Sequence, residues 1–169
     1  MGRVTINDRE YIFQPGETVL HAARSLGFDI PTLCHDDRLK PYGGCRLCVV
    51  EIVGAPRLQT ACSTELHDGM VIRTQSPEVE AHRKTLLQVL AAGVPRHAMS
   101  HSYDQPFFQY IRRYHLEDEL RGSRDLALFD DSHPYIRVDM SQCIYCYRCV
   151  RICDEVQGQN VWSAWFWLA

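Results

Sequence analysis

The chain has 169 residues, enough for one domain or two small ones, and its charged and apolar fractions, 23% and 46%, are those of an ordinary globular protein. A formal net charge of −3 gives no reason to expect a nucleic acid or an anionic membrane surface as a partner. The sequence has no run of about 18 apolar residues and no visible secretory leader, so we expect a cytoplasmic protein without a membrane span.

Residues 1–75 are predicted to form a small β-rich domain. Apolar and polar side chains alternate over residues 4–6 and 11–13, and the Asn-Asp pair between these runs is typical of a hairpin turn. A short helix is expected next, capped by Thr18 and ended by Gly27. Three later runs predict strands at 49–52, 58–61 and 70–72. Strands around one helix and a cysteine loop suggest a β-grasp.

Four cysteines of this region, Cys34, Cys45, Cys48 and Cys62, are spaced C-x10-C-x2-C-x13-C. The central two lie in the sequence Tyr-Gly-Gly-Cys-Arg-Leu-Cys, residues 42–48. Glycines let the backbone pass close to inorganic sulfur, so that amide N–H groups can point at it. Four soft thiolates from such a loop and a later strand suit a 2Fe–2S cluster, so these cysteines are its candidate ligands.

Residues 76–130 are predicted to be a mainly helical region. The sequence Ser-Pro-Glu at 76–78 is a strong helix start, and Gly93 ends the apolar stripe that follows it. A second helix is predicted over 106–120 and a loop over 122–134.

The segment 131–169 carries the other four cysteines, spaced C-x2-C-x2-C-x3-C: Cys143, Cys146, Cys149 and Cys153. Cysteines in two tight groups, without a secretory leader, favour metal binding over disulfides. Three cysteines at this spacing ligate three corners of a 4Fe–4S cubane. In two-cluster ferredoxins the fourth cysteine of such a run binds the other cluster, and here no later cysteine follows.

Three alternatives therefore stay open for this second site. Cys153 closes the same 4Fe–4S cluster in an unusual geometry, or a partner chain supplies the missing ligand. In the third alternative the site is degenerate and holds zinc or nothing, since four thiolates also suit zinc. Arg46 and Arg151 lie beside candidate ligands, where they either offset the negative charge of the clusters or lie in solvent.

These motifs resemble a known family. Cys34, the loop 42–48 and residues 60–63 are similar to the N-terminal 2Fe–2S domain of the large iron–sulfur subunit of respiratory complex I. The same domain opens the catalytic subunit of NAD-dependent, molybdenum- or tungsten-containing formate dehydrogenases and the diaphorase iron–sulfur subunit of bidirectional hydrogenases. Residues 143–158 look most like the formate dehydrogenase version. With the element pattern, the resemblance predicts an α+β chain: a β-grasp 2Fe–2S ferredoxin domain, a helical middle segment and a partial bacterial-ferredoxin-like C-terminal segment.

Two departures from this family shape the expected function. Between its cysteine groups the family carries a 4Fe–4S site with one His and three Cys ligands, whereas residues 94–104 contain His97 and His101 but no cysteine. That middle cluster is expected to be absent, and the two histidines to be ordinary surface or core residues. Where the family continues into another cysteine run and a molybdopterin domain, this sequence ends in an aromatic tail that contains Trp162, Trp165, Phe166 and Trp167.

We therefore expect a reduced iron–sulfur module without a pterin site or catalytic residues, whose aromatic tail docks on a partner or packs on its own helices. It is predicted to carry electrons within a soluble redox complex, most closely an NAD-linked formate dehydrogenase. The expected partners are larger redox subunits, namely the formate dehydrogenase catalytic subunit, an NAD/FMN-binding subunit or both. Two rival interpretations are a free-standing ferredoxin carrier and a structural or regulatory remnant with a degenerate second site.

Overall fold

The computed structural model describes residues 1–101, 105–122, 129–140 and 143–162, and its N-terminal part is a five-stranded mixed sheet. The strands are β1 Gly2–Ile6, β2 Arg9–Phe13, β3 Val49–Ile52, β4 Gln59–Thr60 and β5 Val71–Arg73. They lie in the order β2-β1-β5-β3-β4. β1 pairs in parallel with β5, and the other neighbouring pairs are antiparallel. One helix, α1 (Val19–Ser25), packs on this sheet, which confirms the predicted β-grasp.

Local sequence explains the first elements. Asn7 (φ 46°) and Asp8 (φ 65°) both adopt the left-handed conformation that a two-residue type I′ hairpin turn requires. The Thr18 side chain accepts a hydrogen bond from the His21 N–H (3.3 Å) and so starts α1. Gly27 takes a φ of 82° just beyond the helix, where a side chain would be strained. The predictions for the hairpin and for this helix are confirmed.

A first hydrophobic core lies between α1 and the inner face of the sheet. Val4, Ile6 and Ile72 from the strands are almost fully buried against Leu20 of the helix. Two cysteines of the first group belong to the same cluster of buried residues, Cys48 and Cys62. Part of the candidate metal site is therefore built into the domain core.

The middle of the chain is helical, as expected. Its helices are α2 Pro77–Ala92, α3 Ala98–His101 and α4 Pro106–Arg113, followed by a 3₁₀ turn at Glu117–Glu119. The Ser76 side chain accepts the Val79 N–H (3.3 Å) and caps α2, and Gly93 follows its last residue. These ends of α2 confirm the prediction.

The predicted second helix over 106–120 is wrong beyond Arg113. His115 adopts a left-handed φ of 54°, and the next N–H, that of Leu116, bonds back to the Ile111 carbonyl (2.9 Å). This is a Schellman helix end, with Leu116 and Ile111 both buried in one cluster. The helix stops here because the turn brings Leu116 into the core.

A second hydrophobic core joins these helices to the cysteine loop. Leu87 of α2 and Phe107 and Ile111 of α4 are buried in it. Leu33 and Leu47, which precede Cys34 and Cys48 in the chain, belong to the same cluster. The loop that carries the first cysteines therefore lies between the two cores.

The C-terminal part is a short hairpin followed by one helix. The elements are β6 Phe129–Asp130, β7 Val138–Asp139 and α5 Arg148–Glu155. β6 pairs antiparallel with β7, so the loop predicted over 122–134 is wrong at residues 129–130. The Arg137 guanidinium lies 5.5 Å from the centre of the Phe129 ring, across the hairpin. Among the described helices, none combines the length and apolar character that a bilayer crossing requires.

Arg83 of α2 is a charged residue with no solvent exposure. Its guanidinium donates to the Val49 carbonyl and to the Glu80 carboxylate, each at 2.8 Å. Glu80 also accepts a hydrogen bond from the Tyr114 hydroxyl (2.6 Å), and burial together with this bond raises the pKa of Tyr114 to about 12. Arg83 thereby ties α2 to β3, the strand that begins directly after Cys48.

We expect Arg83→Ala to destabilise the chain by roughly 2–4 kcal/mol, because it leaves a cavity and removes the donor from a buried carbonyl. The free energy of unfolding is measured by anaerobic urea titration followed by circular dichroism. Arg73→Ala is the control, since Arg73 also forms a 2.8 Å ion pair, with Glu51, but its side chain is 59% exposed. The control should lose at most about 1 kcal/mol, and equal losses would contradict the role given to Arg83.

Candidate metal centres

The first cysteine group comes together where the loop after α1 meets the sheet. Cys34 lies in that loop, Cys45 and Cys48 precede β3, and Cys62 follows β4. Cys45 is half-buried, whereas the other three are buried, and all four are free thiols. The turn between the central two cysteines is made by Arg46, an exposed residue with a left-handed φ of 55°. The sequence therefore folds into a largely dry site with four available sulfurs.

The four thiols are arranged as two pairs. The Cys45 N–H donates to the Cys34 Sγ at 3.4 Å. A hydrogen bond between the two thiols lowers the pKa of Cys45 and raises that of Cys34. A second such bond lowers the pKa of Cys62 and raises that of Cys48. The thiolate is the form that binds metal, and two thiolate pairs match two irons with two sulfur ligands each.

Backbone donors and neighbouring hydroxyls face these sulfurs. A backbone hydrogen bond from Gly43 and a side-chain hydrogen bond from Ser63 help to lower the pKa of Cys62. Backbone hydrogen bonds from Leu47 and Leu33 act in the same direction on Cys45. These donors stabilise negative charge on sulfur in a site that water hardly reaches, so the residues present fit an iron–sulfur cluster.

Gly43 has a particular role in this arrangement. Its φ of 66° lies in the left-handed region, and an added Cβ would lie 3.0 Å from the Ser63 Oγ. The Ser63 hydroxyl is in turn held by a 2.6 Å hydrogen bond with the Thr60 hydroxyl. A side chain at position 43 would therefore strain the backbone and displace the hydroxyl beside Cys62.

The second cysteine group is more open. Cys143 and Cys146 are half-buried, Cys149 is exposed and Cys153 is buried. The last two lie four residues apart on α5 and therefore on one side of that helix. Tyr145 (φ 54°) and Tyr147 (φ 59°) make the left-handed turns around Cys146 that lead the chain into α5. In the described part of the chain, no three Cys, His, Asp or Glu side chains converge as they would around a single metal ion.

Helix α5 contacts the loop of the first group. The Lys40 N–H donates to the Glu155 carboxylate (2.9 Å), and the Arg151 guanidinium donates to the Lys40 carbonyl (2.6 Å). The ring of Tyr42 lies 6.3 Å from that of Tyr147, in an edge-on arrangement. The two cysteine groups thus lie on segments that touch each other.

The other sequence candidates are placed differently. The sequence left open whether Arg46 and Arg151 lie in solvent or offset the charge of the clusters. Arg46 is exposed to solvent, whereas the side chain of Arg151 is only 12% exposed, so the prediction of a solvated side chain is wrong for Arg151. His97 is also exposed. The side chain of His101 lies outside the described residues. Trp162 is half-buried, and the rest of the aromatic tail lies outside the described residues, so its docking stays a prediction.

Sequence reasoning missed the contact between Lys40 and Glu155. These residues are separated by 115 positions, and neither lies in a motif that indicates pairing. The only signal in the sequence is that Glu155 follows Arg151 by four residues. This spacing indicates an ion pair along one helix, but it does not indicate that the pair bonds Lys40.

Two protein families match this chain. Residues 2–77 match the 2Fe-2S iron-sulfur cluster binding domain. Residues 133–165 match the ferredoxin-like domain of NADH-quinone oxidoreductase subunit 3. With the cysteines present in both regions, these matches assign a 2Fe–2S cluster to the N-terminal domain and a 4Fe–4S cluster to the C-terminal segment. The β-grasp fold and its cysteine loop accordingly define a ferredoxin-type iron–sulfur protein.

Solved and curated relatives narrow this class to one family. A chain of an NAD+-reducing [NiFe]-hydrogenase, solved in the H2-reduced state, superposes with a TM-score of 0.82 at 30% identity, over 94% of this chain and 68% of that one. An NADH-quinone oxidoreductase subunit of Rhizobium meliloti (strain 1021) is 37% identical over 94% of this chain. The chain belongs to the iron–sulfur subunit family of NADH-quinone oxidoreductases and related hydrogenases.

The curated relatives are much longer proteins. The NADPH-Fe(3+) oxidoreductase subunit alpha of Geobacter sulfurreducens (strain DL-1 / KN400) is 30% identical over 95% of this chain, which corresponds to 19% of that relative. The match to the Rhizobium meliloti protein likewise covers 19% of its length. The chain thus spans about a fifth of these curated relatives.

We expect Gly43→Ala to lose most of its 2Fe–2S cluster, because the new side chain disturbs the donors beside Cys62. Bound iron and visible absorbance per chain are measured after anaerobic purification. Gly54→Ala is the matched control: Gly54 also has a positive φ (88°), but nothing lies within 4 Å of an added Cβ. The control should keep its cluster and lose only about 1 kcal/mol of stability to backbone strain. Equal cluster loss in both variants would mean that backbone strain alone explains the effect.

Proposed function

We propose that this chain relays single electrons between two iron–sulfur clusters within a multi-subunit redox complex, most closely an NAD-linked formate dehydrogenase. The observation that carries the proposal is the direct contact between the segments that bear the two cysteine groups, through Tyr42 and Tyr147. A relay needs its redox centres to be close and rigidly held, and a contact between the two segments supports both conditions.

The proposed ligands are those that the two motifs indicate. Cys34 and Cys45 form one iron-binding pair of the 2Fe–2S site, and Cys48 and Cys62 form the other. The proposed ligands of the 4Fe–4S site are Cys143, Cys146, Cys149 and, as the fourth ligand, Cys153. Cys149 and Cys153 lie on one side of α5, and Cys146 lies in the turn before this helix. Cys153 is buried.

The chain contributes the environment of the clusters. When bound, the two clusters supply one-electron oxidation and reduction. The thiolates hold iron in place, and the backbone donors from Gly43 and Leu47 stabilise the added negative charge of the reduced state. Burial of the first site in the domain core excludes water and limits the reorganisation that accompanies each electron transfer. No proton needs to move at a side chain in such an outer-sphere relay.

The proposed partners follow from the relatives and from the second motif. The names of three relatives contain NADH, NADPH or NAD+, which supports a nicotinamide-linked complex. The resemblance of residues 143–158 to formate dehydrogenases favours formate as the other substrate. We therefore propose a formate dehydrogenase catalytic subunit, an NAD/FMN-binding subunit or both as partners, in the cytoplasm.

Low-temperature EPR of the dithionite-reduced native complex tests the relay. We expect Cys45→Ser to remove a 2Fe–2S signal and Cys149→Ser to remove a 4Fe–4S signal, with iron per chain falling accordingly. Cys153→Ser should also remove the 4Fe–4S signal if this residue is the fourth ligand. His97→Ala, at an exposed position, is the control and should keep both signals. The proposal would be overturned if the parent complex gave no iron–sulfur EPR signal, or if the cysteine variants kept all of its signals.

Reduction of the same complex by formate or by NADH tests the partner. Cluster reduction by formate supports a formate dehydrogenase, whereas reduction by NADH alone assigns the chain to another nicotinamide-linked enzyme. A monomer in gel filtration that still carries both clusters would favour a free ferredoxin carrier. Full activity of a complex that contains Cys45→Ser would favour a structural remnant.

A further inference from the structure

Residues 40–42 of the first cysteine loop are held by side chains of α5. Glu155 accepts the Lys40 N–H at 2.9 Å, and the Arg151 guanidinium donates to the Lys40 carbonyl at 2.6 Å. The same guanidinium donates through Nε to Glu155 at 2.8 Å. Both backbone groups of Lys40 are thus bonded by one Arg–Glu pair, which we call the α5 clamp (Arg151 and Glu155).

The α5 clamp differs from an ordinary surface ion pair. The side chains of Arg151 and Glu155 are 12% and 21% exposed, and both bond the backbone of Lys40 at the surface of the protein instead of only each other. The planar guanidinium makes two hydrogen bonds in different directions, and its carbon lies 4.8 Å from the centre of the Tyr42 ring. Charge-assisted hydrogen bonds and a cation–π contact therefore act on the same three-residue stretch of loop.

Tyr42 connects the α5 clamp to the first cysteine site. It directly precedes Gly43, which lies against the side chain of Ser63, the residue after Cys62: an added Cβ at Gly43 would lie 3.0 Å from the Ser63 Oγ. Its ring also occupies the space where a Cβ of Gly44 would lie, so a glycine at that position allows the ring to fold back over the loop. The ring also lies 6.3 Å from that of Tyr147, which is in the turn between Cys146 and Cys149 of the second group.

We propose that Arg151 is a positioning residue of the 2Fe–2S site, which fixes residues 40–44 through Lys40 and Tyr42 and thereby lets the C-terminal cysteine segment control the environment of the first cluster. This inference rests on the proposed relay. It gives α5 a second role beside carrying cysteines: the helix sets the path of residues 40–44, which places Gly43 beside Ser63 and the Cys45 N–H 3.4 Å from the Cys34 Sγ.

Hydrogen exchange provides the first measurement. In the anaerobic holoprotein, we expect Arg151→Gln and Glu155→Gln to speed exchange of amides in a peptide covering residues 38–44 by roughly tenfold or more, because a charge-assisted bond to the Lys40 N–H is weakened or lost. Arg151→Lys should give an intermediate value, since it keeps the charge but not the planar fork. Arg73→Gln is the matched control, since it removes the guanidinium of another 2.8 Å Arg–Glu pair outside this loop.

EPR provides the second measurement. If Arg151 had only a structural role, its replacement would leave the 2Fe–2S signal unchanged. The reduced 2Fe–2S signal of Arg151→Gln should show shifted g values and broader lines at unchanged spin count, and its midpoint potential should shift. The control should match the parent protein. If Arg151→Gln fails to fold, Tyr42→Leu tests the same path from the loop side, since Tyr42 is half-exposed and lies outside α5.

The outcomes separate this inference from the proposed relay. A parent protein without a 2Fe–2S signal overturns the relay itself. A parent with that signal, and variants with faster exchange but unchanged g values and potential, would show that the α5 clamp only holds the helix, and this result overturns the inference. Unchanged exchange in Arg151→Gln overturns it as well.

Discussion

The cysteine loop is ordered because its residues are anchored in two separate hydrophobic cores. Leu33 and Leu47 are buried among the helices, whereas Cys48 is buried with the sheet and α1. The loop has little secondary structure of its own, so its conformation depends on these anchors rather than on backbone ladders. Burial of a leucine side chain is worth about 1.5–3 kcal/mol, which offsets part of the entropy lost on ordering the loop.

The same anchoring buries the cysteine sulfurs, so the fold must also stabilise their negative charge. Thiolates in a dry site are costly unless donors surround them. Here most of the donors are backbone N–H groups, such as those of Gly43 and Leu47, whose positions follow from the path of the chain. Buried Arg83 adds a fixed positive charge behind β3, bonded to the carbonyl of the residue after Cys48. Fold and redox site therefore share one set of constraints.

The sequence was informative wherever a local signal determined the structure. The cap at Ser76, the hairpin turn at residues 7–8 and the spacing of the first cysteines needed no tertiary information. The end of α4 was not predictable in this way, because His115 rather than glycine takes the left-handed position, and burial of Leu116 decides it. The bond from Lys40 to Glu155 was not predictable either, because the polar residues of both segments are typical of any exposed loop or helix.

The long separation of Lys40 and Glu155 also has a consequence for biogenesis. The sheet, α1 and all four sulfurs of the first site lie within residues 1–73, whereas the α5 clamp lies at 151–155. Domains generally fold as units, N-terminal first, as the ribosome delivers them. The sheet, α1 and the four cysteines are therefore made before α5, and for an interval the first site lacks the α5 clamp and its loop is more open to iron delivery. Docking of α5 on Lys40 then closes the loop beside the first site.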